Sequence, residues 1–99
     1  MHSAMACKAL QTRKCLELDY HGFRRVVEVH AVGRSQEKTL VLRAWQVRGG
    51  SLGGEPVGWK LMHLDEITNA HLTTERSMAP RPDYNPKDPA MGGGIICKV

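Results

Sequence analysis

The sequence predicts a mainly β protein, a small SH3-like or Sm-like β-barrel preceded by one short helix. Six short segments alternate between apolar and polar residues, and turn signals separate them. The length of 99 residues suits one domain. Closing the sheet into a barrel would remove exposed edges. We therefore expect a single domain, 1–99, with its core at about 6–76.

The N-terminal segment "AMACKALQT", 4–12, is rich in good helix formers. Met5, Ala6, Ala9 and Leu10 fall at helical spacing and would share one face. The pattern predicts one helix of about two turns, which we expect to cover an open end of the sheet.

Three strands follow in the predicted order. "KCLELDY", 14–20, and "FRRVVEVHAV", 23–32, alternate with period two, and His21-Gly22 between them favours a tight hairpin turn. "TLVLRAWQV", 39–47, has the strongest strand composition. Because both of its faces carry apolar residues, it is predicted to be central in the sheet.

The segment "WKLMHL", 59–64, presents two different sets of side chains on its two faces. We expect Met62 and Leu64 to face the core, with Lys60 at the solvated start of the strand. Asp65 would then take the corner, where its carboxylate can accept backbone N–H groups.

The rest of the chain combines strands with Pro- and Gly-rich segments. Residues 48–58 hold five glycines and predict a long hairpin loop, and "ITNAHLTTE", 67–75, reads as a strand. Residues 77–94 hold four of the five prolines and predict an irregular loop. "IICKV", 95–99, is the expected closing strand.

The formal net charge is +4, with a sequence pI of about 9.2. Residues 8–60 hold ten Lys and Arg against five acidic residues, so the basic excess lies in the first two thirds. This balance favours anionic partners. A solvated basic face is the ordinary alternative.

The cysteines are Cys7, Cys15 and Cys97, an odd number without short framework spacing. This predicts reduced thiols, with Cys15 and Cys97 as small buried apolar residues. No signal-peptide pattern or membrane-length apolar run is present. We therefore expect a cytoplasmic protein with no membrane partner.

The motifs of common enzymes are absent from the sequence. There is no P-loop and no G-x-S-x-G, and no histidine pairs with a cysteine or another histidine at metal-ligand spacing. The sequence therefore predicts no enzyme activity, no cofactor and no metal site.

Two arginines, Arg25 and Arg43, interrupt otherwise apolar strands. A buried arginine is costly unless it meets an anion. That anion is either a bound phosphate or carboxylate, or an internal carboxylate, which is the more common outcome. The candidate internal partners are Glu17, Asp19, Glu28 and Asp65.

Histidines and aromatic residues accompany these arginines in the pattern. His30 and His63 come late in their strands, where side chains reach a barrel mouth, although a structural hydrogen bond is the ordinary role of each. Arginine beside aromatic rings is typical of nucleotide and single-strand sites. The candidate ligand-binding residues are Tyr20, Arg25, His30, Arg43, Trp45, Lys60 and His63.

The segments "LDYHGFRRVVEVHAVG", "LVLRAW" and "WKLMHLDEI" resemble, in this order, the pattern of WYL domains. The resemblance covers roughly 6–75, and "RPDYNP" is similar to the tail of close relatives. The matching positions are Leu18-Asp19-Tyr20, then Arg25, Val27 and His30, then Leu40-Val41-Leu42, and finally Lys60, Met62, His63, Leu64, Asp65 and Ile67.

The resemblance implies an Sm-like, SH3-type barrel that senses a nucleotide or nucleic acid through basic residues. WYL domains usually follow a DNA-binding winged helix in bacterial transcription regulators. This chain departs from the pattern at the name-giving Trp-Tyr pair, replaced by Leu-Val, at Val29, and at His63 and Glu66, which replace two arginines. It has no helix-turn-helix segment, so a DNA-binding partner would be on another chain.

Two functions are therefore expected. The first is a ligand-sensing or regulatory binding module for an anionic ligand, a nucleotide or single-stranded nucleic acid. The alternative is a protein–protein interaction module that acts through the loops 48–58 and 77–94.

Overall fold

The computed structural model describes residues 1–99, which form one antiparallel sheet, one α-helix and two single-turn 3-10 helices. None of these helices has the length and apolar character needed to span a membrane. The elements are α1 (Ser3–Thr12), β1 (Lys14–Tyr20), β2 (Phe23–Arg34), β3 (Leu40–Gly49), β4 (Gly58–His63), a 3-10 turn (Leu64–Glu66), β5 (Ile67–Arg76), a second 3-10 turn (Pro89–Met91) and β6 (Gly94–Lys98).

The strand order in the sheet is β4-β3-β2-β1-β5, and β6 pairs with β2. The predicted mainly β class with a short N-terminal helix is confirmed. The sheet is not closed, since no hydrogen-bonded ladder joins β4 to β5. The expected barrel closure is therefore not confirmed.

Strand β2 contains a β-bulge at His30, and this bulge changes which of its side chains point to each face of the sheet. Val29 pairs with Ala44 of β3, but the next pair is Ala31 with Arg43, so His30 is the inserted residue. One extra residue reverses the alternation of inward and outward side chains. Before the bulge β2 pairs with β1, and after it with β6.

The core lies between α1 and the face of the sheet that carries Leu42 and Ala44, here called the inner face. Met62 and Leu64 are fully buried there, as expected, so Trp59 and the other alternate residues of β4 lie on the opposite, outer face. Each buried leucine side chain contributes roughly 1.5–3 kcal/mol relative to exposure. The inner face therefore supplies most of the hydrophobic stabilisation.

A disulfide joins Cys7 of α1 to Cys97 of β6, with a sequence separation of 90 and a Cα–Cα distance of 5.9 Å. The prediction of reduced thiols is therefore wrong for these two residues. Sequence spacing did not reveal the pair because pairing of β6 with β2 brings the chain ends together. Cys15 is free and buried as predicted, and burial raises its pKa to about 11.

Gly49 offers a direct test of the β2–β3 packing. Its φ is +113°, and a Cβ there would overlap the Arg24 carbonyl oxygen on β2. We expect Gly49→Ala to lower the free energy of unfolding by roughly 1–3 kcal/mol in chemical denaturation. Gly53→Ala is the matched control, since nothing lies within 4 Å of its added Cβ. Equal effects of the two variants would contradict this packing.

Candidate binding pocket on the outer face

The seven residues predicted to bind a ligand divide between the two faces of the sheet. Arg43 and Trp45 lie on the outer face, since they alternate along β3 with the inner residues Ala44 and Gln46. Arg25 contacts Gln46 and therefore lies on the inner side. The two arginines consequently do not meet at one site.

Arg25 is only 3% exposed, and oxygens of the protein take up its donors. Its Nε and Nη2 donate to the Tyr20 carbonyl oxygen at 3.2 and 3.0 Å, and Nη1 donates to Gln46 Oε1 at 3.3 Å. The rings of Tyr20 and Phe23 lie 5.2 and 5.7 Å from the guanidinium carbon. Burial lowers the pKa of Arg25. The expected carboxylate partner is therefore replaced by neutral oxygens and aromatic faces.

Three more of the predicted residues make structural contacts. Tyr20 accepts a hydrogen bond at its hydroxyl from the His63 backbone N–H at 3.1 Å, and burial raises its pKa. Lys60 donates through Nζ to the Glu55 carbonyl oxygen at 2.8 Å and to Ser51 Oγ at 3.1 Å. Lys60 thus holds the loop between β3 and β4.

The remaining predicted residues, His30, Arg43 and Trp45, lie together on the outer face. Two residues that the sequence did not indicate, Trp59 and Tyr84, lie beside them. Trp45 and Trp59 are cross-strand partners with ring centroids 5.3 Å apart, and His30 lies 4.7 Å from Trp59 and 5.2 Å from Tyr84. We call these four residues the aromatic cluster. Pairing the two tryptophans across the predicted hairpin would have indicated Trp59, but Tyr84 lies in a segment without periodicity.

The 77–93 segment, here called the strap, covers the outer face and is held by buried Glu28. This carboxylate is 1% exposed and accepts from Arg81 Nε at 2.7 Å, from Arg81 Nη2 at 3.1 Å and from the Met78 backbone N–H at 2.7 Å. The Arg81 guanidinium lies 5.5 Å from the ring centre of Trp45. The Glu28–Arg81 pair therefore anchors the strap over the aromatic cluster.

His30 forms a second attachment between the sheet and the strap. It is fully buried, its Nδ1 donates to the Glu28 carbonyl oxygen at 2.9 Å, and its Nε2 accepts from the Arg81 backbone N–H at 3.0 Å. Burial lowers the pKa of His30. The ring is thus held neutral, and these two bonds assign its Nδ1–H tautomer.

Arg43 and Asp88 form the third attachment. Arg43 donates from Nε to Asp88 Oδ2 at 2.6 Å and from Nη2 to Oδ1 at 3.2 Å. These bonds lower the pKa of Asp88, whose Oδ1 also accepts from the Ala90 backbone N–H at 3.0 Å. Of the alternatives that the sequence left open, Arg43 takes an internal carboxylate, although not one of the four expected.

A cavity of about 300 Å³ lies between the strap and the outer face. Two aromatic rings, one arginine and two aspartates reach it, so its charge is not basic. Planar apolar groups can stack here, the Asn85 amide can donate and accept hydrogen bonds, and the carboxylates can accept them. The lining residues are Arg43, Trp59, Asp83, Tyr84, Asn85, Asp88 and Pro89.

Comparison of the chain with protein-family models, curated proteins and solved structures finds no match.

The anchoring role of Glu28 is tested by Glu28→Gln. An amide group facing the Arg81 and Met78 donors leaves buried polar groups unpaired, so we expect a loss of roughly 3 kcal/mol in the free energy of unfolding. Limited proteolysis should also cleave within the strap faster. Glu75→Gln, which breaks the exposed Arg48–Glu75 pair, should change little. An unchanged cleavage rate in Glu28→Gln would contradict the anchor.

The burial of neutral His30 predicts a loss of stability in mild acid. The unfolded chain binds the proton near pH 6.5 whereas folded His30 has a lower pKa, so stability is lost as the pH falls through 6.5. This loss is at most about 1.4 kcal/mol per pH unit. Denaturation curves at pH 7.5 and 5.5 should show the drop, and His30→Gln should reduce it. The control at an exposed histidine, His71→Gln, should retain the full drop in stability. An undiminished drop in His30→Gln would contradict the assignment of this effect to His30.

Proposed function

We propose that this chain is a non-enzymatic binding module that holds a planar ligand in the outer-face pocket. The observation that carries the proposal is the pair of rings, Trp59 and Tyr84, beside the Arg43–Asp88 pair in one cavity. Stacking supplies affinity, while Asn85 and the aspartates supply hydrogen bonds that fix the orientation of the ligand.

A nucleotide or a base of a single-stranded nucleic acid has this chemistry. Stacking of one base on an aromatic side chain is worth about 1–3 kcal/mol. The phosphate gains little inside the pocket, since Asp88 already neutralises Arg43, and Asp83 adds negative charge. We therefore propose that the base enters the pocket and the phosphate stays in solvent.

The strand order supports the SH3-like or Sm-like fold class within the mainly β proteins. Strand β1 lies between β2 and β5, and a 3-10 turn joins β4 to β5. This arrangement is compatible with the SH3-like or Sm-like class and with the WYL resemblance. A regulatory role would then involve a DNA-binding partner. The Cys7–Cys97 disulfide favours an oxidising compartment over the expected cytoplasm.

A protein–protein interaction module is the second candidate. The loop between β3 and β4 exposes two apolar side chains, Leu52 at 72% and Val57 at 55%. Such side chains can contact a partner. Binding that is lost in a Leu52→Ser, Val57→Ser double variant but kept in Trp59→Leu would favour this function.

The proposed ligand chemistry is tested by titrating the chain with adenosine, AMP, a short oligonucleotide and inorganic phosphate. We expect tryptophan fluorescence and amide shifts around Trp59 and Tyr84 to respond to the three base-carrying ligands but not to phosphate. Trp59→Leu should weaken binding roughly tenfold through lost stacking. Leu61→Ala is the control, since Leu61 lies on the same face of β4 outside the pocket.

Three outcomes would reject the proposal. One is a phosphate response equal to that of AMP, which would move recognition to a basic surface elsewhere. The second is unchanged affinity in Trp59→Leu, and the third is no response to any base-carrying ligand.

A further inference from the structure

A second group of side chains, separate from the pocket, lies where β4 ends and β5 begins. His63, Asp65 and Glu66 each offer a ligand atom, and these atoms all lie within 4.8 Å of one another. His63 is half-buried and the two carboxylates are exposed. None of the three lines the outer-face pocket.

The 3-10 turn Leu64–Glu66 causes this convergence. His63 is the last residue of β4, and the tight turn brings the next two acidic side chains back beside it. Leu64, between them in sequence, is fully buried and ties the turn to the core. Spacing rules that pair only histidines and cysteines miss this combination of one imidazole with two carboxylates.

The backbone of the turn is fixed from two sides. The His63 backbone N–H donates to the Tyr20 hydroxyl at 3.1 Å, and the N-terminal amine donates to the Leu64 carbonyl oxygen at 3.1 Å. Neither bond uses a candidate ligand atom. The backbone of the turn is therefore held independently of the three ligand side chains, which can rotate without displacing it.

The candidate ligand atoms of His63 and Asp65 have no ion-pair or hydrogen-bond partner. Asp65 makes no ion pair although Arg34 and Lys38 line the same cavity. By contrast, arginine holds five other carboxylates of the chain. These are Glu17, Asp19, Glu28, Glu75 and Asp88.

His21 completes the surroundings of Glu66. The pairing of Tyr20 with Ile67 places the β1–β2 turn beside the 3-10 turn, and His21 Nε2 lies 2.6 Å from Glu66 Oε1. A carboxylate that binds a metal is commonly oriented by such a hydrogen bond. His21 therefore leaves the second oxygen of Glu66 available.

We propose that His63, Asp65 and Glu66 form a site for a divalent transition-metal ion, with His21 as the positioning residue of Glu66. One nitrogen and two oxygen ligands suit Zn²⁺ better than Ca²⁺ or Mg²⁺, which prefer oxygen alone. Metal–ligand distances near 2.0–2.2 Å place tetrahedral ligand atoms roughly 3.3 Å apart, so side-chain rotation closes the observed spacing. Three protein ligands leave one position for water or a partner group.

The test is a titration of the tag-free 99-residue chain with Zn²⁺, followed by calorimetry and by the His63 ring signals in NMR. We expect one ion per chain and shifts confined to the two turns. His63→Ala and Asp65→Asn should each weaken binding at least tenfold, and His21→Ala should weaken it about tenfold, as for an outer-shell partner. Amide spectra without metal check that each variant folds.

Matched controls are His71→Ala, a remote exposed histidine, and Glu37→Gln, an exposed carboxylate without an ion pair. Both should bind Zn²⁺ as the unaltered chain does. The proposal is overturned by a dissociation constant weaker than roughly 1 mM, by full affinity in His63→Ala, or by equal Mg²⁺ affinity. None of these results bears on the outer-face pocket, whose ligands are tested separately.

Discussion

The buried carboxylate of Glu28 is the group on which the outer face of the sheet depends. An ionised side chain that is 1% exposed must be paired, since its desolvation costs several kcal/mol. All of its side-chain hydrogen bonds come from the strap, through Met78 and Arg81. A segment rich in proline and glycine makes few regular backbone hydrogen bonds, so this pair gives it a fixed position on the sheet.

With the strap in place, strand β3 is covered on both faces. Leu42 and Ala44 belong to the inner-face core that helix α1 covers, while Met91 from the strap clusters with Val41 on the outer face. Strand β3 accordingly carries apolar residues on both sides. It is an interior strand between β4 and β2, whereas the predicted central position belongs to β2. The pocket exists because Tyr84 is brought over the tryptophan on β4, so the site is a property of two distant segments and not of any one motif.

Local pattern predicted the strands well, but it could not predict contacts between distant segments. The bulge at His30 could not be predicted from the sequence because the residues on both sides of it, Val29 and Ala31, are apolar. The ion pair of Arg43 lies 45 residues away in an aperiodic segment. Similarly, the oxygens around Arg25 include a backbone carbonyl, which no side-chain pattern can indicate. The alternation of apolar and polar residues indicates which side chains are buried, whereas the partner of each buried side chain depends on the tertiary fold.

The net charge of +4 illustrates the same distinction. The basic excess of the first two thirds predicted a cationic site, yet Arg24, Arg43 and Arg48 each pair with acidic side chains of the protein. A guanidinium already bonded to a carboxylate has a weaker field and fewer free donors, so it attracts an external phosphate less strongly. The binding proposed for the outer-face pocket therefore rests more on aromatic surface than on positive charge, and net charge alone is a poor guide to a ligand wherever arginines are paired internally.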